Sequence, residues 1–300
     1  ALVSHAFTPR RIAASEMRIR SFAEQLVADL PEGDFDLVPG LSVPLPVAVI
    51  AEILGVDAAH QDDFRRWSAA TVGLMDRPPE PEMIQASAEL IGFFRALLEE
   101  RRKNPQDDMI SDLLRAEIDG RGLTEAELDA FFIMLLVAGN ETTTNWISNQ
   151  LNILARRPDL WKACRDDRSL VPLALEETLR FDAPVQNLGR ETTRDVELQG
   201  VAIPTASRVI VSFGAANRDP EMFEKPDVYR LDRGDFRHLA FGQGRHFCLG
   251  AGLARMEGRI ALEALLDRFD QIEPGTLPSQ RLHSTVIRGF DALPLAGRNA

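Results

Sequence analysis

Apolar residues recur at helical spacing through most of the first half of this chain. In the first run, Ile12, Ile19 and Leu26 fall on one face of a helix. A later loop with prolines at 78, 79 and 81 interrupts the pattern, because proline cannot continue a helix. The spacing predicts four helices here, over residues 9–30, 44–54 (ended by Gly55), 64–74 and 82–103.

The longest predicted helix follows. Thr124 and Glu127 form a capping-box pattern at its start, and the apolar repeat continues from Leu128 to Leu154, stopping before Pro158. At 1.5 Å per residue this helix is roughly 45 Å long. It is therefore long enough to cross a whole domain.

The second half of the chain has a different pattern. Residues 193–211 alternate and contain turn residues, which predicts short strands, whereas residues 217–239 show no period and indicate ordered coil. Residues 251–269 again predict a helix, and 285–287 with 293–295 predict a terminal hairpin. The fold class predicted from these patterns is mainly α with small β-sheets.

Composition narrows the class of protein. Of the 300 residues, 45% are hydrophobic and 27% charged, which is typical of a globular chain, and the net charge is −12. An acidic chain is a poor nucleic-acid binder. The longest apolar runs fall short of the ~18 residues that a membrane helix needs, and charges throughout the first thirty residues argue against a secretory signal. We therefore expect a cytoplasmic protein with neither nucleic-acid nor membrane partners.

The segment around Cys248 carries the most specific chemistry. Gly242 and Gly244 precede the cysteine, Gly250 follows it, and a helical pattern begins directly after it. Glycines permit tight turns, and a helix N-terminus favours an anion, so this position is expected to lower the thiol pKa, helped by the neighbouring basic residues 245 and 246. A metal ligand must be a thiolate. Two other interpretations are a small buried apolar cysteine and an enzymatic nucleophile paired with a histidine.

The run from Phe241 to Gly250, continued by Leu253, Ala254, Arg255 and Glu257, resembles the haem-binding segment of the cytochrome P450 family, in its soluble bacterial form. The resemblance implies the P450 fold, haem b, and Cys248 as the thiolate ligand of iron. It also implies haem contacts from Phe241, Gly242, His246 (to a propionate), Gly250 and Ala254. The second cysteine, Cys164, lacks such a loop and is predicted to be structural.

A polar stretch, Ala138-Gly139-Asn140-Glu141-Thr142-Thr143, interrupts the long helix and resembles the family's oxygen-activating motif. The resemblance implies that Ala138 and Gly139 let the helix pass close to haem. Thr142 is then expected to hydrogen-bond dioxygen, and Glu141 to relay protons. The alternative is a solvent-facing stripe on a long helix.

Two further groups of charged residues match the family. Glu177 and Arg180 resemble its Glu-x-x-Arg pair, and with Arg233 they are expected to form a buried structural network. Arg190 matches an arginine that binds a haem propionate, although a surface strand arginine would look the same. At Ala206 the chain departs from the glycine that many relatives place there.

The resemblance also implies a substrate pocket and an electron donor. The matching pocket positions are apolar, which favours a lipophilic small molecule as substrate of an O2-dependent monooxygenase. Residues 230–259 contain six arginines and only three acids. We therefore expect a basic patch that binds a separate ferredoxin. The alternative is a surface of mixed charge. The predicted pocket residues are Met134, Val137, Ala138, Val185, Leu188, Val286 and Ile287.

The match covers residues 1–300 as one domain, but the family's N-terminal part has no counterpart, and residues 2–9 resemble the end of a helix. The sequence therefore predicts a P450 fold that is incomplete at its N-terminus. Two hypotheses follow: an active monooxygenase, or a truncated, catalytically inactive haem-binding fragment.

Overall fold

The computed structural model describes residues 8–56, 58–76, 78–117, 120–234 and 237–299. The helix end predicted at residues 2–9 falls almost wholly outside them. The helices of the described part are α1 (Pro9–Asp29), α2 (Pro44–Ile53), α3 (Gln61–Asp76), α4 (Pro81–Lys103), α5 (Met109–Arg115), α6 (Glu125–Ala155), α7 (Pro158–Asp166), α8 (Val171–Phe181), α9 (Phe213–Ala216) and α10 (Ala251–Arg268). The four early helices and the long helix α6 were predicted and are confirmed.

The strands are short. They are β1 (Gly33–Asp36), β2 (Asn187–Glu191), β3 (Val196–Leu198), β4 (Val201–Ile203), β5 (Arg208–Ser212), β6 (Phe269–Pro274), β7 (Gln280–Arg281), β8 (Phe290–Ala292) and β9 (Pro294–Asn299). They form an antiparallel sheet in the order β1-β9-β6 and the pairs β2-β5, β3-β4 and β7-β8. The predicted fold class is confirmed.

The predicted terminal hairpin is wrong. Ile287 makes an isolated bridge to Val185 instead of pairing with residues 293–295. Strand β9 lies between β1 and β6, where Leu295 is opposite Phe35 and is buried. Alternation along a strand indicates which face is buried, but the pairing partner is chosen by the tertiary fold.

Helix α6 passes through both apolar clusters of the core. Its first half, including Leu128 and Phe132, packs in a cluster with α2 to α5. Its second half, from Trp146 onward, packs in a larger cluster with α1, α8 and α10. The polar stretch that interrupts the helix therefore lies where the two clusters meet. The helix begins with the predicted capping box, in which Thr124 and Glu127 hydrogen-bond each other's backbone N–H groups.

Most polar residues in the middle of α6 are buried, so a solvent-facing stripe is the wrong interpretation. Asn140 donates to Ser68 on α3, and Thr144 Oγ1 donates to the Ser42 carbonyl at 2.9 Å. Asn149 donates to the backbone carbonyls of residues 182 and 288 at 2.9 Å each. Hydrogen bonds of this kind offset the cost of burying polar groups.

Ala206 occupies a backbone conformation that suits glycine. Its φ angle is +58°, and its N–H donates to the Thr192 carbonyl at 2.8 Å. A side chain in this left-handed region costs about 1–2 kcal/mol, while glycine adds less than that in unfolded-state entropy. We expect Ala206→Gly to stabilise the protein by about 0.5–1 kcal/mol in urea unfolding. Ala202→Gly, in strand β4, is the control and should destabilise it.

None of the helices within the described ranges combines the length and apolar character needed to cross a membrane.

Candidate functional site

The loop that carries Cys248 is held by its own backbone. The Cys248 N–H donates to the Phe241 carbonyl at 2.8 Å, and the Gly242 N–H donates to the Leu239 carbonyl at 2.9 Å. Gly242 has φ +69°, and a Cβ there would lie 3.2 Å from the His246 carbonyl oxygen. Both features favour glycine, which explains why a glycine precedes the cysteine at this spacing.

Cys248 directly precedes helix α10, as predicted. The backbone N–H groups of Gly250 and Ala251 donate to its sulfur, and the positive charge of Arg255 also favours the thiolate. Burial of the sulfur is stronger, however, and raises the pKa of the thiol above its ordinary value, although the residue as a whole is exposed. The predicted lowering of this pKa is therefore wrong for the protein chain alone, because desolvation outweighs the helix N-terminus.

Aromatic contacts join the cysteine loop to helix α6. The Phe241 ring meets Trp146 edge-on, with centroids 6.1 Å apart, and lies 6.4 Å from the Phe247 ring. Trp146 is one helical turn beyond Thr142. The loop therefore lies against α6 close to the polar motif that the sequence singled out.

Within that motif, Ala138 is exposed and Thr142 half-buried. The Thr142 hydroxyl donates to the Ala138 carbonyl at 2.6 Å. Gly139 packs against α2, where a Cβ would lie 2.6 Å from Ile50 Cδ1. A larger residue here would have to displace the Ile50 side chain, while the role predicted for Gly139 beside haem remains a prediction.

Glu141 is held by Asn145, one turn further along α6. The Asn145 side-chain amide donates to the Glu141 carbonyl at 2.8 Å and to its carboxylate at 3.2 Å. Asn145 also accepts from the Phe290 N–H at 3.3 Å. Both residues, with His283 and Asp291, line a cavity of about 700 Å³. Although most of the cavity surface is apolar, a carboxylate at its border is placed to exchange protons with solvent.

The three residues predicted to form a buried network are in contact. Arg180 makes two hydrogen bonds of 2.8 Å to the Glu177 carboxylate, and Arg233 Nε donates to it at 3.0 and 3.3 Å. The side chains of Glu177 and Arg180 are fully buried. Their remaining donors bind carbonyls of the coil that precedes the cysteine loop, at residues 217, 224, 226 and 228. The first part of the coil predicted over 217–239 is thus ordered by these arginines.

The two residues predicted to bind propionates are on the surface. His246 closes a short 3-10 turn, Gly244–His246, and is exposed. Arg190 is exposed on strand β2, where it donates to the Gly189 carbonyl at 2.8 Å. Both are accessible to a ligand, and their contacts with haem remain predictions.

The predicted pocket residues come from three segments, two of which meet directly. Val185 bridges Ile287, and the Gln186 N–H donates to the Val286 carbonyl at 2.8 Å. Leu188, in β2, is 40% exposed and Val286 is 42% exposed. Met134 and Val137 lie on α6 ahead of Thr142, and Met134 is 54% exposed. An apolar lining is therefore available, and its use as one pocket remains a prediction.

The predicted basic patch is largely neutralised. Within the described residues, four of the six arginines counted along the sequence are ion-paired in the folded chain. Most of their partners are acids from distant segments, so little excess positive charge remains. Asp235, one of the counted acids, lies outside the described residues. The pairs are Arg230–Asp232, Arg233–Glu177, Arg255–Glu176 and Arg259 with Glu16 and Glu263.

Comparison with known proteins agrees with this geometry. The family model of cytochrome P450 matches residues 72–289. The chain belongs to the cytochrome P450 family.

Cytochrome P450 107B1 of Saccharopolyspora erythraea is 41% identical over 298 residues, which are 98% of this chain and 73% of that protein. The 6-deoxyerythronolide B hydroxylase of the same organism is 39% identical, with 98% and 74% covered. The crystal structure of CYP109E1 from Bacillus megaterium with testosterone has a TM-score of 0.92 at 40% identity, covering 99% of this chain and 82% of that one.

This P450 is therefore a monooxygenase, and its family implies a haem-thiolate cofactor. The residues present fit such a group. Cys248 supplies a sulfur supported by two backbone N–H groups. Its neighbours Phe247 and Leu249 are apolar yet 54% and 37% exposed, which suits contact with a flat apolar macrocycle. Cys164, in contrast, is fully buried, and desolvation raises the pKa of its thiol to about 11, as expected for a structural cysteine.

Sequence reasoning missed Asn145 and Glu176. Asn145 stands four residues after Glu141, and this helical spacing could have indicated their contact. Gly289 packs against Asn145 so closely that a Cβ at this position would lie 1.6 Å from Asn145 Oδ1. This contact is created by the tertiary fold and could not have been predicted from the sequence. Glu176 was missed because it belongs to no recognised motif, whereas its neighbour Glu177 is part of the Glu-x-x-Arg pair.

Proposed function

We propose that this P450 binds haem b through Cys248 and inserts one oxygen atom of O2 into a lipophilic small molecule, with electrons from a separate ferredoxin and its reductase. The observation that carries the proposal is the position of the Cys248 sulfur. It precedes α10 in a loop that packs, through Phe241, against α6 beside Thr142. One face of the site thus offers a cysteine sulfur and the other a hydroxyl and a carboxylate.

Cys248, Phe241, Gly242, Gly250 and Ala254 would hold the haem, with His246 and Arg190 at its propionates. Haem bound by a thiolate supplies the activation of dioxygen. The protein's own residues supply protons and exclude water. Thr142 Oγ1 holds its proton on the Ala138 carbonyl, and Glu141 takes up protons from the cavity on its side of α6. The Asn145 side-chain amide holds the Glu141 carboxylate in place through a hydrogen bond.

The proposed substrate class follows from the apolar lining and from the relatives. The predicted pocket positions carry only apolar side chains. One relative is a 6-deoxyerythronolide B hydroxylase, and a structural neighbour binds testosterone. These two compounds are large and mostly apolar, which supports a lipophilic substrate here as well.

The proposed ferredoxin has a smaller basic surface to bind than the sequence suggested. Arg245 is exposed within the cysteine loop, and Arg237 is exposed just before it. A few charges near the proximal face are sufficient to steer an acidic partner.

The test is the spectrum of the reduced, carbon monoxide-bound protein after addition of haem. We expect the wild-type chain to give the red-shifted Soret band of a thiolate ligand, and Cys248→Ser to lose it completely. Cys164→Ala is the matched control and should keep the band. A wild-type chain that binds haem without this band would support the inactive haem-binding fragment. Covalent labelling of Cys248 with no haem uptake would support the nucleophile.

A further inference from the structure

A second carboxylate lies next to the Glu177 network and contacts the cysteine helix. Glu176, on α8, accepts two hydrogen bonds from Arg255 on α10, at 2.6 Å from Nε and 2.9 Å from Nη2. The Nε2 atom of His238 lies 3.1 Å from the same carboxylate. This group, Glu176–His238–Arg255, joins three separate segments of the chain. We call it the Glu176 cluster.

The Glu176 cluster is shielded from water on its Glu176 and His238 side, whereas the Arg255 side chain is 39% exposed. The His238 side chain is 3% exposed and that of Glu176 is 20% exposed. The Ala240 N–H points to His238 Nδ1 at 3.3 Å, so the other ring nitrogen carries the proton that Glu176 accepts. Burial alone would raise the pKa of Glu176, but hydrogen bonds from Arg255 and His238 lower it to about 2. The carboxylate is therefore ionised and holds Arg255 in a fixed, bidentate geometry.

The fixed guanidinium contacts the cysteine loop. Arg255 stacks on the Phe241 ring, 4.5 Å from its centroid. The Phe241 carbonyl accepts the N–H of Cys248 at 2.8 Å. Phe241 thus contacts the Arg255 guanidinium through its ring and the Cys248 backbone through its carbonyl. A displacement of this guanidinium would thus change both the packing behind the loop and the field at the sulfur.

We propose that Glu176 is a positioning residue: it holds the Arg255 guanidinium against Phe241 and thereby sets the electrostatic field at the Cys248 sulfur. This inference rests on the proposed role of Cys248 as the haem ligand. An ordinary surface pair would lack the contact with the loop. Glu263 provides that comparison, because its side chain is similarly exposed, at 21%, and its ion pairs are with Arg20 on α1 and Arg259 on α10.

The experiment compares Glu176→Met, Arg255→Met and the double variant in the haem-loaded protein, with Glu263→Met as control. The readout is the reduction potential of the haem iron. Loss of a nearby positive charge disfavours the electron-rich reduced state, so Arg255→Met should shift the potential to more negative values. If Glu176 positions Arg255, Glu176→Met should shift it in the same direction, and the double variant should show no further negative shift beyond that of Arg255→Met. Glu176→Gln, which keeps one acceptor, should lie between.

A shift of the reduction potential to more positive values in Glu176→Met overturns the proposal. If Glu176 acts only as a negative charge, its removal leaves Arg255 in place and shifts the potential to more positive values. A Glu176→Met potential equal to that of wild type, or a shift matched by Glu263→Met, likewise contradicts positioning. Melting temperatures separate these effects from a loss of fold, since a merely structural role lowers stability without moving the potential.

A second readout does not depend on haem. In the haem-free chain, iodoacetamide should alkylate exposed Cys248 in preference to fully buried Cys164. We expect Arg255→Met and Glu176→Met each to slow this alkylation by about threefold, the effect of one displaced charge near the sulfur. Faster alkylation in Glu176→Met would overturn the inference. This readout still decides the question if the wild-type spectrum contradicts the proposed function.

Discussion

Glu177→Gln is expected to destabilise the protein by about 3–5 kcal/mol, the usual cost of breaking a buried ion pair. The substitution leaves two guanidinium groups, Arg180 and Arg233, buried without a carboxylate; their side chains are 0% and 5% exposed. The coil before Cys248 depends on both arginines through its carbonyls. Haem uptake should therefore fall together with stability.

Urea unfolding, followed by circular dichroism, measures this effect. Asp232→Asn is the matched control, because it removes the carboxylate of an exposed arginine pair and should cost less than about 1 kcal/mol. If Glu177→Gln lowers the free energy of unfolding by less than about 1 kcal/mol, the network is not required for stability. The two arginines would then have rearranged so that their charges are no longer buried without a partner.

Glu257→Gln is expected to stabilise the protein at alkaline pH. Glu257 lies in α10 with 1% exposure, and its Oε2 has no hydrogen-bond partner among the described residues. Desolvation raises its pKa well above the ordinary value. Between the unfolded and folded pKa values, the native state holds a proton that the unfolded chain has released. Stability therefore falls as pH rises through this range, by up to about 1.4 kcal/mol per pH unit.

Glutamine cannot ionise, so Glu257→Gln should remove this part of the pH dependence. The variant and the wild type should differ little near pH 5, and the stability advantage of the variant should grow as pH rises above this value. Urea unfolding across this pH range is the measurement. Glu263→Gln, which removes a partly exposed, ion-paired carboxylate from the same helix, should keep the wild-type slope. An unchanged slope in Glu257→Gln would mean that buried water or a shift of the helix stabilises the ionised carboxylate.

Local patterns in the sequence were reliable where the structure is also local. The capping box at Thr124 was predicted, because a cap depends on residues three positions apart. The turn geometry at Ala206 could be questioned from sequence for the same reason. The short helix α5 was missed, although Asp108 caps it by accepting from the Ser111 N–H at 2.8 Å. Seven residues are too few to show a clear helical period.

The sequence by itself determined that this chain is mainly helical and carries the P450 cysteine motif at the start of a helix, since motif, spacing and helix boundaries are properties of short segments. The tertiary structure alone decided which charges meet and which strands pair. It placed Glu176 on Arg255 and Glu16 on Arg259, across 79 and 243 residues of sequence, and so removed most of the counted basic patch. It also set β9 between β1 and β6. Such contacts join distant segments, and the choice among many possible partners is made by the packing of the whole core.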